Sequence, residues 1–228
     1  MINKKKILAI VPARMGSKRI KKKNFVEVFE GLTLLDFTYR SIIGSKYIDN
    51  AILSSDSKKI LDLGKKIGFN HVALRPKNLS KDLTPSELVV NHVLTNTKKK
   101  FDIIILLQPT SPLRNSKDID NALKKFIKKK YLALISVSKS KKKNKFNVYL
   151  NKSNLIKKNF KFKKKNNFYF LNGAIYIADC KYFKKNKSFY SPLTGSYSMP
   201  YNRSLDIDTY YDLEILKKKL KVTSQIKN

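Results

Sequence analysis

Short, wholly apolar runs of strand length alternate with longer stretches whose apolar residues recur at helical spacing, and this continues along nearly the whole chain. A strand with one wet face alternates polar and apolar residues. KILAIVP at 6–12 and DIIILL at 102–107 do not alternate. A strand apolar on both faces must be covered on both, so the pattern predicts a mostly parallel sheet between two layers of helices.

The run at 6–12, ending at Pro12, is the expected first strand. Further strands are expected at 51–53, 102–107 and 132–137. Helical spacing predicts helices over 34–43, stopping near Gly44, over 58–67, closed by Gly68, and over 116–129. Thr84, Pro85 and Glu87 have the chemistry of a helix start: an N-cap, a first helical position and a capping box. That helix is expected to reach about Thr97.

The pattern changes over 139–167, which holds a dozen lysines and no acid. Pieces such as FNVYL at 146–150 predict a small antiparallel excursion there. Order resumes at 172–178 (NGAIYIA) and at 204–208, read as extended strand. A final helix is expected from Thr209 to about Leu220, capped by Thr209 with Asp212. The fold class expected is therefore α/β: one three-layer domain over 1–228, with a mostly parallel sheet and an inserted Lys-rich arm at about 139–167. No appended hydrolase or transferase module is expected within these residues.

Charge narrows the function. The formal net charge is +34, which raises the question of a nucleic-acid partner. Arg occurs only at positions 14, 19, 40, 75, 114 and 203, so the excess is almost all Lys, in scattered KK and KKK runs. Base readout favours the planar guanidinium fork that Lys lacks, so the lysines read as solvated surface and no specific nucleic-acid partner is expected. No run approaches the ~20 apolar residues that would span a bilayer, so no membrane insertion is expected. The first apolar run lacks a small-residue cleavage pattern and reads as a strand, not as a signal peptide. The single Cys180 leaves no internal disulfide framework and fits a reducing cytoplasm.

In open α/β sheets, ligands bind at the carboxyl ends of the strands. After the first strand comes Pro12-Ala13-Arg14-Met15-Gly16-Ser17-Lys18-Arg19-Ile20-Lys21-Lys22-Lys23-Asn24, a Gly and a Ser among cations, suited to polyphosphate but without Walker spacing. Near the other end lies Asp206-Ile207-Asp208. Residues two apart on an extended segment face one way, and two convergent carboxylates suit Mg²⁺ with phosphate oxygens completing its shell. They can equally be solvent-facing acids ahead of a helix N-terminus. Between these lies LQPTSPLR at 107–114, a two-proline loop offering an amide, two hydroxyls and a guanidinium. His71 and His92 read as structural, and Cys180 as a packed small residue.

Taken together, IVPARMGSKRIKKKN, LRPKNLSKDLTPS, LLQPTSPLR, NGAIYI and RSLDIDTYYDLEIL resemble, in order and spacing, the acylneuraminate cytidylyltransferase family: CMP-sialic acid synthetases and their relatives for legionaminic and pseudaminic acids. The resemblance runs from about Lys6 to Leu220 and is weakest over the arm. It implies a Rossmann-like nucleotidyltransferase domain, usually a homodimer whose arm helps form the partner's sugar pocket. It implies transfer of CMP from CTP to the anomeric hydroxyl of a nonulosonic acid, with loss of pyrophosphate. Arg14, Ser17, Lys18, Lys23 and Asn24 match the family's CTP- and phosphate-binding loop, Arg75 and Ser86 its cytidine positions, Gln108 a residue near the sugar acid, and Asp206 and Asp208 its Mg²⁺ pair. Arg14, Lys18 and Lys23 would stabilise charge on pyrophosphate. The proton acceptor stays open between Asp208 and a hydroxide held by the cation.

This chain departs from the family at Met15, Arg19 and Lys21 in the loop, where Gly-Gly-Ser-Lys-Gly-Ile-Pro is commoner. Phe170 and Leu171 stand where Arg is common, and 163–166 is Lys-Lys-Lys-Asn in place of an Arg-rich stretch. Three other classes carry some of these features: a metal-dependent glycosyltransferase with a D-x-D pair, a sugar-1-phosphate nucleotidyltransferase, and a basic RNA-binding protein.

Overall fold

The structure, a computed structural model, describes residue 2 and residues 4–140, 147–157 and 168–225. In chain order the strands are β1 (Ile7–Pro12), β2 (Glu27–Phe29), β3 (Leu32–Thr33), β4 (Asn50–Ser55), β5 (His71–Leu74), β6 (Ile103–Leu106), β7 (Ala133–Lys139), β8 (Tyr149–Leu150), β9 (Ile156–Lys157), β10 (Tyr169–Asp179) and β11 (Thr194–Ser198). The helices are α1 (Leu34–Ile43), α2 (Lys58–Ile67), α3 (Ser86–Thr95), α4 (Ser116–Lys128), α5 (Cys180–Asn186) and α6 (Tyr210–Gln225).

Seven strands form one sheet in the order β11-β7-β10-β6-β1-β4-β5. Every pairing is parallel except those of β10, which runs antiparallel to β6 and β7. Both faces of the central strands are covered. Ile7, Ala9 and Val11 of β1 face one cluster with Leu35 and Ile42 of α1, Ile60 of α2, and Ile119 and Leu123 of α4. Leu8 and Ile10 face the other with Val90 and Val93 of α3 and Phe183 of α5. This accounts for the unbroken apolar runs: each of these five β1 side chains is 0% exposed, on alternating sides. A third cluster, Ile20, Val28, Leu34, Ile207, Leu213 and Leu216, joins α6 to the first loop and to the β2–β3 hairpin.

Helices α1 and α2 fall where the apolar spacing puts them, each followed by its glycine. Gly68 adopts φ 124, open to glycine and costly to other residues. The helix expected from Thr84 begins later. Pro85 is its extended N-cap, with no side-chain cap bond, and it ends at Thr95. Thr84 is spent on the preceding turn, where its amide donates to the Lys81 carbonyl (3.1 Å) and its hydroxyl to that of Asn78 (3.4 Å).

Residues 204–208 also differ from expectation, since they form no ladder and lie outside the sheet. The edge position is taken by β11, whose Thr-Gly-Ser-Tyr-Ser has no apolar run to announce it. In the arm, β8 and β9 make the expected small antiparallel pair. Residues 141–146 and 158–167 of the arm, Lys163, Lys164 and Lys165 among them, fall outside the described residues.

Candidate active site

One cavity of about 370 Å³ opens at the carboxyl ends of β1, β5 and β6. Its lining draws together Arg14, Ser17, Lys23, Asn24, Arg75, Ser86, Gln108, Asp206 and Asp208. Of the residues singled out from sequence as site candidates, Lys18 alone stands outside that lining. It lies 83% exposed at the rim, paired with Asp82 at 2.8 Å.

The first loop is shaped by polar ties. Asp56, just beyond β4, accepts from the Met15 amide (3.0 Å), and the buried Asn24 side chain donates to the Arg14 carbonyl (3.0 Å). Lys22 takes a left-handed φ of 53 ahead of a short 3-10 turn, Lys23–Phe25. That turn carries Lys23 inward, where its ammonium donates to the Ile207 carbonyl (2.6 Å) and lies 3.4 Å from Asp208. Arg75 is 5% exposed, with Nη1 on the Ser54 carbonyl (3.0 Å) and Nε on the Ser80 hydroxyl (2.7 Å). Desolvation pushes its pKa down; Asp56 opposes that, and the like charge of Arg14 adds to it. The positive end of the cavity is therefore crowded with charge.

The two aspartates converge as expected, though no strand directs them. Ile207 is fully buried in the third cluster, so its neighbours Asp206 and Asp208 turn the other way, into the cavity. The Ile207 amide donates to the Thr110 carbonyl (2.8 Å), which ties the pair to the Gln108 loop. Asp206 keeps surface toward the cavity yet has protein on most sides. That desolvation raises its pKa, with Asp208 adding to the effect, while the Thr110 hydroxyl and the Lys23 charge work against it. Asp208 is paired with Arg19 at 3.0 Å. Two hard oxygen donors side by side, one of them destabilised as an anion, form a donor set a divalent cation would relieve. Among the described residues no group of three or more His, Cys, Asp or Glu makes a fuller cation cage.

Asp212 holds this end in place: its carboxylate accepts from the amides of Asp208 (3.0 Å) and Thr209 (2.7 Å) and from the Thr209 hydroxyl (2.8 Å). The capping pair expected at the start of α6 is thus present.

The two-proline loop serves both the cavity and the interior. Gln108, Pro109 and Thr110 line the cavity. Ser111 and Arg114 are buried, 0% and 2% exposed, and face the protein interior. Arg114 Nη1 donates to the carbonyls of Gln108 (3.1 Å) and Ala174 (2.9 Å), clamping the loop to β10. Burial pushes its pKa down to about 9, against the pull of Asp118.

Sequence reasoning missed two features. β10 is irregular between Leu171, opposite Val137, and Tyr176, opposite Ile135. Gly173 in this bulge has φ +72, and a side chain there would meet Gln108 Oε1 at 3.6 Å and Asp206 Oδ2 at 3.8 Å. Asn172 beside it is buried and bonds Ser136 (2.5 Å), Ser138 (3.2 Å) and Ser204 (3.0 Å), fixing the backbone two residues ahead of Asp206. The second is Asp82, which pairs with both Arg14 and Lys18. Its LSKD context gave no sign of either partner. His71, His92 and Cys180 do not line the cavity. Cys180 is buried, and burial pushes its thiol up.

A mostly parallel α/β sheet with a cationic loop after β1 meeting a carboxylate pair is the arrangement of a nucleotidyltransferase-type domain. The likeness to a solved structure of CMP:2-keto-3-deoxy-manno-octonic acid synthetase complexed with CTP shows the same fold: TM-score 0.80 over 96% of this chain and 99% of that one, at 13% identity. The cytidylyltransferase family model matches residues 8–218, and the chain belongs to that family. It is 31% identical to the pseudaminic acid cytidylyltransferase of Campylobacter jejuni, over 96% of this chain and 98% of that one. It is 32% identical to the CMP-N,N'-diacetyllegionaminic acid synthase of Legionella pneumophila, over 96% and 98%. It is also 32% identical to the N-acylneuraminate cytidylyltransferase of Escherichia coli, covering 92% of this chain but 51% of that longer protein. No helix among the described residues is long and apolar enough to cross a membrane.

Proposed function

We propose that this chain transfers CMP from CTP to the anomeric hydroxyl of a sialic-acid-like nonulosonic acid and releases pyrophosphate. The observation that carries the reading is the meeting, in one cavity, of Arg14, Ser17, Lys23, Asn24, Arg75, Ser86, Gln108, Asp206 and Asp208 from segments far apart in sequence. Relatives about as long as this chain, named for pseudaminic and legionaminic acid substrates, support the choice of acceptor.

In this reading the acceptor hydroxyl attacks the α-phosphorus of CTP in line. Arg14, Lys18 and Lys23 stabilise the charge that grows on the departing pyrophosphate, a mainly electrostatic contribution. Arg75 and Ser86 hold the cytidine end, with Ser17 and Asn24 shaping the phosphate loop, and Gln108 faces the sugar acid. Asp206 and Asp208 would hold Mg²⁺, which supplies phosphate charge neutralisation and polarises the phosphorus. Asp208 is also the candidate acceptor of the hydroxyl proton. We place the reaction in the cytoplasm, in a homodimer of single-domain subunits with the arm at 139–167 beside the partner's sugar pocket.

The test is pyrophosphate release from CTP and Mg²⁺ with N-acetylneuraminic, legionaminic or pseudaminic acid, and with a sugar 1-phosphate for comparison. Release with one of the acids, at least 100-fold slower in Asp208→Asn, is the expected outcome, since loss of a charge-stabilising group costs roughly 10²–10³ in rate. Release with the sugar phosphate alone would refute the sugar-acid assignment.

A further inference from the structure

Arg14 and Lys18 do not wait uncompensated for a phosphate. The Asp82 carboxylate bridges them, one oxygen paired with Arg14 Nη1 and the other 2.8 Å from Lys18 Nζ. These contacts hold the Asp82 carboxyl below its ordinary range, the Lys18 hydrogen bond contributing most and the Arg14 bond next. Asp82 rides on the short connection between the 3-10 turn Lys77–Ser80 and α3, and Lys81, Asp82 and Thr84 all line the cavity. The hydrogen bonds of Thr84 stay within its own segment, on Lys81 and Asn78. Leu83 is 94% exposed, so this connection has no apolar anchor at its tip. A carboxylate is thus held over the site by the same cations the reaction needs.

We propose that Asp82 is an internal stand-in for the terminal phosphates of the nucleotide, and that it sets how tightly and for how long the site retains polyphosphate. The proposal rests on the nucleotidyl-transfer reading above. A carboxylate and a phosphate offer a guanidinium and an ammonium the same thing, anionic oxygens that accept charge-assisted hydrogen bonds. Polyphosphate therefore enters by exchange: it takes over Arg14 and Lys18, and Asp82 is released to solvent on a connection with no apolar anchor at its tip. Before the nucleotide arrives, Asp82 offsets the repulsion between Arg14 and Arg75. After transfer, the returning carboxylate competes with pyrophosphate for the same two cations and speeds its departure. Cytidine, which carries no phosphate, leaves Asp82 where it is.

The experiment is calorimetric titration of the full chain and of Asp82→Asn with inorganic pyrophosphate, CTP and cytidine, followed by steady-state kinetics. Asp82 is exposed, so the variant is expected to fold. Two exposed ion pairs correspond to a tightening of roughly 3- to 20-fold for pyrophosphate and CTP, with cytidine unchanged. In a Lys18→Gln background the gain should shrink by half or more, because the pairs act as one unit. Kinetically, KM for CTP and kcat should fall together while inhibition by pyrophosphate strengthens.

Unchanged or weaker pyrophosphate binding in Asp82→Asn would overturn the proposal, leaving an ordinary surface ion pair or a direct ligand contact. A gain that survives undiminished in the Lys18→Gln background would overturn it too, as a bulk-charge effect. A wild-type chain that binds pyrophosphate but transfers CMP to no acceptor would sink the nucleotidyl-transfer reading without affecting the titration of Asp82.

Discussion

At the scale of single residues, the site depends on side chains facing a direction that something buried dictates. Asp206 and Asp208 face the cavity because Ile207 between them is locked in an apolar cluster. Gly173 makes the same point from the backbone side. Its φ of +72 is costly for any residue with a Cβ, yet the nearest atoms to that Cβ, on Gln108 and Asp206, lie at ordinary contact distance. Gly173→Ala is therefore expected to lose only about 1–2 kcal/mol of stability from the backbone term. CMP transfer should fall by a larger factor, since the methyl lies against two cavity side chains. Thermal melts beside steady-state rates check this; equal proportionate losses would mean that Gly173 serves the fold alone.

The Asp206-Ile207-Asp208 alternation was legible in the sequence, although its cause was not. Alternation normally belongs to a strand, and here a single buried isoleucine imposes it on an unladdered segment. Asp82 and the bulge at Gly173 were not legible, because each is defined by partners distant in sequence.

Among the elements, α4 shows how a helix start can carry long-range structure. Asn115 and Asp118 cap it reciprocally. Asp118, 1% exposed, also accepts two bonds from Arg203, at 3.0 and 2.7 Å, and one from the Tyr197 hydroxyl at 3.2 Å. One carboxylate thus joins α4, β11 and the turn leading to the aspartate pair. Asp118→Asn is expected to lower stability by about 2–4 kcal/mol in a urea titration, short of a fully buried pair because Arg203 is partly exposed.

Asp102 plays a smaller part where β1 and β6 begin. It accepts from the Lys6 amide at 2.9 Å and from Lys5 Nζ at 3.4 Å, and the Lys6 bond is the largest cause of its lowered pKa. A depressed carboxylate stabilises the fold above its unfolded pKa and loses that contribution as pH falls through the folded value. The stability advantage of wild type over Asp102→Asn should be full at neutral pH, about 1 kcal/mol or less because the pair is partly exposed. It should vanish once the pH drops below the ordinary Asp range. A difference that persists in strong acid would show that the charge is not its source.

Helices with strong spacing and a glycine stop, α1 and α2, could be read to the residue. β11 could not. It has a glycine where a core strand carries a branched side chain, and it fits because Gly195 lies under the Tyr131 ring, where a Cβ would come within 2.1 Å of a ring carbon.

For the whole molecule, the formal charge of +34 is the least informative number and the strand order the most informative. The cavity lies at the carboxyl ends of parallel strands, where the cationic loop after β1 meets the carboxylates before α6 through Arg19 and Lys23. β10 passes between β6 and β7 in the opposite direction, and its bulge reaches the same cavity. The chemistry follows from what that juxtaposition can hold: a polyphosphate against cations, with two acids beside them.

The most direct test is the phosphorus spectrum of the product formed from CTP, Mg²⁺ and the nonulosonic acid that supports pyrophosphate release. Transfer of CMP to an anomeric hydroxyl leaves one phosphorus between cytidine and sugar, so a single phosphodiester resonance should grow beside free pyrophosphate. A coupled pair of diphosphate resonances in the product would mean that a sugar phosphate is the acceptor, and would contradict the central claim.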